Sequence, residues 1–84
     1  MKKVEITCAY RKKFAQNKDE QAQLQKELER EYKLYFFELP NRNYMIEMES
    51  IEEQSYFSLA CDAYDIIKHL WKFHDIPTIK VEIF

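Results

Sequence analysis

The stretch Ser50–Asp75, SIEEQSYFSLACDAYDIIKHLWKFHD, constrains the fold of this chain more than any other. Placed at about 100° per residue, Tyr56, Ala60, Ala63, Ile67, Leu70 and His74 run along the middle of one face. Phe57, Tyr64 and Trp71 flank that line on one side, and Leu59, Ile66 and Phe73 flank it on the other. Gln54, Ser58, Cys61, Asp62, Asp65, Lys68, His69 and Lys72 fill the polar arc. The apolar arc is about 200° wide, where a helix resting on one core needs little more than about 100°. The stretch therefore predicts a helix with more apolar surface than one sheet face covers. Ser50 and Glu53 have capping-box spacing, and Glu52 and Glu53 suit the positive end of the helix dipole. Pro77 holds Ile76 extended and so ends the helix nearby.

Glycine is absent from all 84 residues. A chain without it has no phosphate-cradling loop, no dinucleotide fingerprint and no G-x-S-x-G elbow, because each needs backbone conformations that other residues resist. The length predicts one α+β domain over residues 1–84, and an apolar fraction of 46% supplies a core. Two cysteines, Cys8 and Cys61, make no disulfide framework and fit a reducing compartment. No apolar run approaches a membrane span, and MKKVEIT has no apolar h-region. The expectation is a soluble, cytoplasmic protein without membrane contact. The net charge of −2 is uneven: residues 1–13 carry +4 and residues 36–65 carry −6. General nucleic-acid binding would show a dominant basic field instead.

Taken in order, Lys3–Arg11 alternates as a half-buried strand, with Val4, Ile6, Cys8 and Tyr10 inward. Residues 15–33 hold strong helix formers and a narrow seam of Leu24, Leu28 and Tyr32. Leu34–Leu39 and Tyr44–Glu49 read as strands about the turn Pro40-Asn41-Arg42-Asn43. Setting Leu39 opposite Tyr44 places Phe37 by Ile46 and Tyr35 by Met48, one consistently apolar face. Leu34, Phe36 and Glu38 then share the other face with Met45, Glu47 and Glu49. Thr78–Phe84 closes the chain as a strand with Ile79, Val81 and Ile83 inward.

The order β-α-β-β-α-β predicts a four-stranded antiparallel sheet with both helices on one face, and in architecture alone it resembles the ferredoxin-like arrangement. That arrangement carries many unrelated functions. The residues themselves carry little chemistry. Cys61, Asp65 and His69 line up at i, i+4, i+8, but successive turns spread them over roughly 12 Å, too far for one ion. His69 and His74 point about 140° apart on the wheel, an arrangement in which they share no metal. His74, on the central apolar line, reads as a core histidine. The carboxylates Glu47, Glu49, Glu52 and Glu53 have no evident base, acid or substrate grip beside them. The expectation is a protein that is not an enzyme and uses no cofactor or metal.

The surfaces remain. Phe36, Glu38, Met45, Glu47 and Glu49 form an acidic, partly apolar sheet face suited to a basic protein partner, one form being a small inhibitor that covers a nucleic-acid-binding surface. The alternative is single-stranded nucleic-acid binding, with Phe36 stacking a base beside Arg11-Lys12-Lys13, although the neighbouring glutamates repel phosphate. The excess apolar flank Phe57, Tyr64 and Trp71 predicts a homodimer interface, since interfaces favour aromatic anchors.

Overall fold

The computed structural model describes residues 2–84. Its elements are β1 (Lys3–Ala9), α1 (Lys12–Ala15), α2 (Lys18–Leu28), β2 (Tyr32–Glu38), β3 (Asn43–Ser50), α3 (Tyr56–His74) and β4 (Thr78–Ile83). They form a small α+β fold with one sheet in the order β2-β3-β1-β4, every neighbouring pair antiparallel. Val4, Ile6 and Cys8 of β1 and Tyr44, Ile46 and Met48 of β3 alternate onto one face, where all six are buried. Leu24 of α2 and Leu59, Ala63, Ile66 and Leu70 of α3 close over them in a single core.

The helix expected over residues 15–33 is shorter, Lys18–Leu28, and a separate short helix, α1, precedes it. Phe14 and Ala15 anchor the short α1 in the core, and Asn17 then caps α2 by accepting a hydrogen bond from the Glu20 N–H at 3.1 Å. The buried Gln21 amide ties the two pieces together, donating to the Phe14 and Ala15 carbonyls and lying 3.2 Å from the Tyr44 hydroxyl. The Phe14 carbonyl also accepts from the Asn17 N–H at 3.1 Å, so the amide matters most to the Ala15 carbonyl, which the end of α1 would otherwise leave unpaired. α2 ends at Leu28, so Tyr32 is not a helix-seam residue but the first residue of β2, fully buried.

The β2–β3 register differs from the expectation by one residue. Glu38 faces Tyr44, Phe36 faces Ile46, Leu34 faces Met48 and Tyr32 faces Ser50. The cause is the connecting loop. Leu39 donates its N–H to the Asn43 carbonyl at 2.9 Å, leaving only Pro40, Asn41 and Arg42 in the loop. Arg42 adopts the left-handed conformation, φ 59°, as the last residue of a three-residue hairpin loop does. A four-residue turn would have preserved the other register; this one turns every β2 side chain over. Tyr32, Leu34 and Phe36 consequently point to the core side, and Tyr35 and Phe37 point outward.

α3 begins five residues later than expected. Ser50 is no helix cap: it ends β3, buried opposite Tyr32, and its hydroxyl donates to the Glu52 carbonyl. Ser55 performs the capping instead, accepting from the Ser58 N–H at 3.2 Å. Asp75 stops the helix in the left-handed conformation that glycine usually supplies, and the following Ile76 N–H reaches back to the Leu70 carbonyl at 3.1 Å. The 19-residue helix is about 28 Å long, shorter than residues 50–75 would give. Tyr56 and Ala60, expected at the centre of its buried face, are exposed; the seam is Leu59, Ala63, Ile66 and Leu70.

Edge strand β4 pairs with β1 through a register shift that leaves Ile79 exposed as an irregularity. Val81 lies opposite Ile6 but remains 40% exposed, so of the inward set only Ile83 packs against the core.

The Tyr32 hydroxyl lies 2.5 Å from Asp62 and 2.7 Å from Gln54, linking β2 to α3 and to the segment before it. A hydrogen bond to a charged acceptor is worth about 1.5–3 kcal/mol. Tyr32→Phe is expected to lower the unfolding free energy by about that amount with the denaturant slope unchanged; loss below about 0.5 kcal/mol in urea titration would show the link to be idle.

Candidate functional site

Two surfaces and one side-chain cluster hold the groups able to meet another molecule. The first surface is the outer face of the sheet. It presents Glu5 and Thr7 from β1, Tyr35 and Phe37 from β2, Met45, Glu47 and Glu49 from β3, and Lys80 and Glu82 from β4. Met45, Glu47 and Glu49 are where the sequence placed them. Phe36 is not. The register shift turns it onto the core side, half-buried at 6.4 Å from Phe14 and 6.5 Å from Tyr44, measured between ring centres. Glu38 also leaves the outer face: it stands opposite Tyr44 and is exposed at the strand end. In place of Phe36, Tyr35 and Phe37 lie near-parallel on the outer face, their centres 6.5 Å apart. Nothing in the sequence chose between these two sets, since both alternating sets of β2 are apolar.

The acidity of this face is also diluted. Lys3 lies 3.6 Å from Glu47 and Lys80 lies 2.9 Å from Glu82, while Lys33 sits opposite Glu49 in the register. These exposed pairs contribute little stability, but they shorten the reach of the carboxylate field.

The second surface is the flank of α3 formed by Phe57, Tyr64 and Trp71, which are 80%, 61% and 59% exposed. On the other side of the helix, Asp62 accepts from Tyr32 and His69 meets Glu20 of α2. The aromatic flank therefore turns away from α2, toward β4 and solvent. Val81 of β4 is uncovered on that same side of the domain, and Lys68 lies over the Tyr64 ring at 5.9 Å.

The cluster was not foreseen. His69 Nε2 and His74 Nε2 lie 3.2 Å and 3.0 Å from the same oxygen, Glu20 Oε1. Their rings are 5.3 Å apart, which overturns the wheel argument that they point away from each other. The wheel treats side chains as radial spokes; helical side chains lean toward the N-terminus, and a carboxylate from a second helix gives both a common target. His74 is accordingly a half-buried partner of Glu20, not a core residue. Hydrogen bonds from the two imidazoles, ahead of every other influence, hold the Glu20 carboxyl below the usual range. The only sequence signal was the pair of histidines near one helix end; Glu20, far along the chain, could not be matched to them. Cys61 stands exposed away from the cluster, and Asp65, also exposed, lies beside His69 without being among the groups that meet there.

Burial raises the Cys8 thiol to about 11 and the Tyr44 hydroxyl to about 12, with the Glu38 charge adding to the latter. Tyr32 is also raised, by burial first and then by Asp62. These are marks of a packed core and not of a nucleophile, since a reactive thiol is held in a lowered range. Among the described residues no helix is long and apolar enough to cross a membrane. Compared with known proteins, the chain matches no family model, no curated protein and no solved structure.

Groups whose folded values are raised stabilise the fold fully below their unfolded values and cease to do so as pH rises through the folded ones. Stability is thus expected to fall between about pH 9 and about pH 11 as the unfolded chain, and then the folded one, loses the Cys8 proton. Cys8→Ala is expected to lessen the fall over that range in urea titrations, the part due to Tyr32 and Tyr44 remaining. Below pH 8, one thiol, Cys61, is expected to react rapidly with a disulfide reagent while Cys8 waits for unfolding; equal reactivity would place Cys8 outside the core.

Proposed function

We propose that this chain is a non-enzymatic protein-interaction module built on a ferredoxin-like frame. The strand order and the two longer helices support that frame, with the short α1 as an addition to it. The observation that carries the functional reading is the exposed aromatic line Phe57–Tyr64–Trp71, lying on the side of the uncovered Val81. Clustered exposed apolar side chains mark interfaces more often than free surface, and aromatic anchors of this kind dominate binding energy where they are buried. The line runs parallel to the helix axis, so two copies can meet about a twofold axis with equivalent residues opposed.

The outer sheet face supports a second contact of the same class. Tyr35, Phe37 and Met45 offer apolar area, and Glu5, Glu47 and Glu49 favour a partner with basic groups. Inhibition of a protein by covering its basic surface is one form of that contact. The alternative of single-stranded nucleic-acid binding passes from Phe36 to Tyr35 and Phe37, whose rings are available for stacking. The carboxylates opposite and beside them oppose phosphate, and the protein reading is preferred on that ground.

Sedimentation at tens of micromolar is expected to give a dimer, and Trp71→Ala a monomer that still unfolds cooperatively. A wild-type monomer whose Trp71 fluorescence is freely quenched would remove self-association along α3. On the sheet face, Glu47→Lys with Glu49→Lys is expected to abolish capture of a basic partner while the chain still unfolds cooperatively in urea. Retained capture would remove the sheet face from consideration, and micromolar binding of single-stranded RNA lost on Tyr35→Ala would displace the proposal in favour of the nucleic-acid reading.

A further inference from the structure

The Glu20–His69–His74 cluster lies between α2 and α3, apart from both docking surfaces, and interaction through those surfaces does not explain it. We propose that it is a binding site for a divalent first-row transition ion, zinc in the first instance, held by Glu20 Oε1, His69 Nε2 and His74 Nε2.

Three observations support the assignment. The first is distance. Around zinc, with metal–nitrogen and metal–oxygen bonds of about 2.0–2.2 Å, neighbouring ligand atoms stand roughly 3.0–3.4 Å apart. The two imidazole nitrogens lie 3.2 Å and 3.0 Å from the carboxylate oxygen, and all three ligand atoms fall within 4.8 Å of one another. The second is ligand chemistry. Two imidazoles and one carboxylate are a borderline donor set that selects zinc and its neighbours over calcium or magnesium, and three protein ligands leave a position for water. The third is orientation. The His74 ring packs 5.1 Å from the Phe14 ring, and the His69 ring packs 5.0 Å from the Phe73 ring. Apolar neighbours of this kind hold each imidazole in place while its nitrogen faces the carboxylate.

All three side chains are partly exposed, so an ion can enter from solvent. Asp65, Lys68 and Lys72 line the depression beside His69. Once bound, the ion ties α2 to α3 at the end of α3, where the helix turns into the Asp75 stop. The entering ion takes the place of the Nε2 protons: each ring binds as a neutral imidazole with its one remaining proton on Nδ1, and any second proton of an imidazolium is released to solvent.

The test uses the purified full chain, stripped with chelator and titrated with zinc and, separately, with cobalt(II). One ion per chain is expected, together with visible cobalt bands of a four- or five-coordinate nitrogen–oxygen site. A rise in thermal midpoint should accompany zinc binding, since binding to the folded state alone stabilises it. Glu20→Gln, close in shape and the least disruptive change, and His69→Ala and His74→Ala should each weaken binding at least about tenfold. Cys61→Ser should change nothing. Far-ultraviolet circular dichroism checks that each variant is folded, and Glu20→Gln alone decides the matter if the histidine variants are not. No binding at tens of micromolar zinc would overturn the site, as would binding unaffected by Glu20→Gln or binding lost on Cys61→Ser.

Discussion

The three-residue loop Pro40–Arg42 governs much of what this domain presents to its surroundings. The Leu39 N–H closes it on the Asn43 carbonyl, and the Tyr10 N–H donates to the Arg42 carbonyl at 3.1 Å, tying the loop to the end of β1. With no glycine in the chain, Arg42 accepts a left-handed conformation that costs a side-chain-bearing residue about 1–2 kcal/mol. The register that results decides the fate of five aromatic or apolar side chains. Tyr32, Leu34 and Phe36 join the core, and Tyr35 and Phe37 are left on the outer face. The buried Tyr32 then reaches Asp62 and Gln54, so a turn at one end of a hairpin reaches through the register to the docking of α3 at the other.

α3 meets the sheet with only part of its apolar surface. Leu59, Ala63, Ile66 and Leu70 form a seam one side-chain row wide, each large member contributing about 1.5–3 kcal/mol by burial. Asp62 and His69 bind across to β2 and α2, which pins the rotation of the helix about its axis. That rotation leaves the opposite flank in solvent. The small α2, with Leu24 buried and Leu28 only half-covered, lies too far from β4 to shield Val81 or the aromatic row. The exposed flank is thus the geometric remainder of where α3 is held.

The polar contacts between the two longer helices have a different character from the packing beneath them. Gln21 satisfies carbonyls at the end of α1 from within the core, whereas Glu20, its neighbour in sequence, points to the rim and gathers two imidazoles. One turn of α2 therefore serves folding on one side and offers chemistry on the other. The Asn17 cap places both residues, because it fixes where the second helical segment starts.

The amino-acid sequence determined the elements that periodicity alone dictates: β1 with Val4, Ile6 and Cys8 inward, β3 with Tyr44, Ile46 and Met48 inward, and a helix through Tyr56–His74 whose apolar arc is too wide for one sheet. Alternation has a single answer in β1 and β3 because one face of each is polar. It has none in β2, where Leu34 and Phe36 compete with Tyr35 and Phe37 on equal terms, so a left-handed residue in the neighbouring loop settled the register. The aromatic flank of α3 was legible as excess, but whether the middle line or its Leu59–Ile66 edge would meet the sheet depended on partners far along the chain. The same holds for the Glu20–His69–His74 cluster, whose members come from two helices separated by two strands. Local pattern decides which residues wish to be buried; only the packing of distant segments decides which of them are, and which polar groups meet.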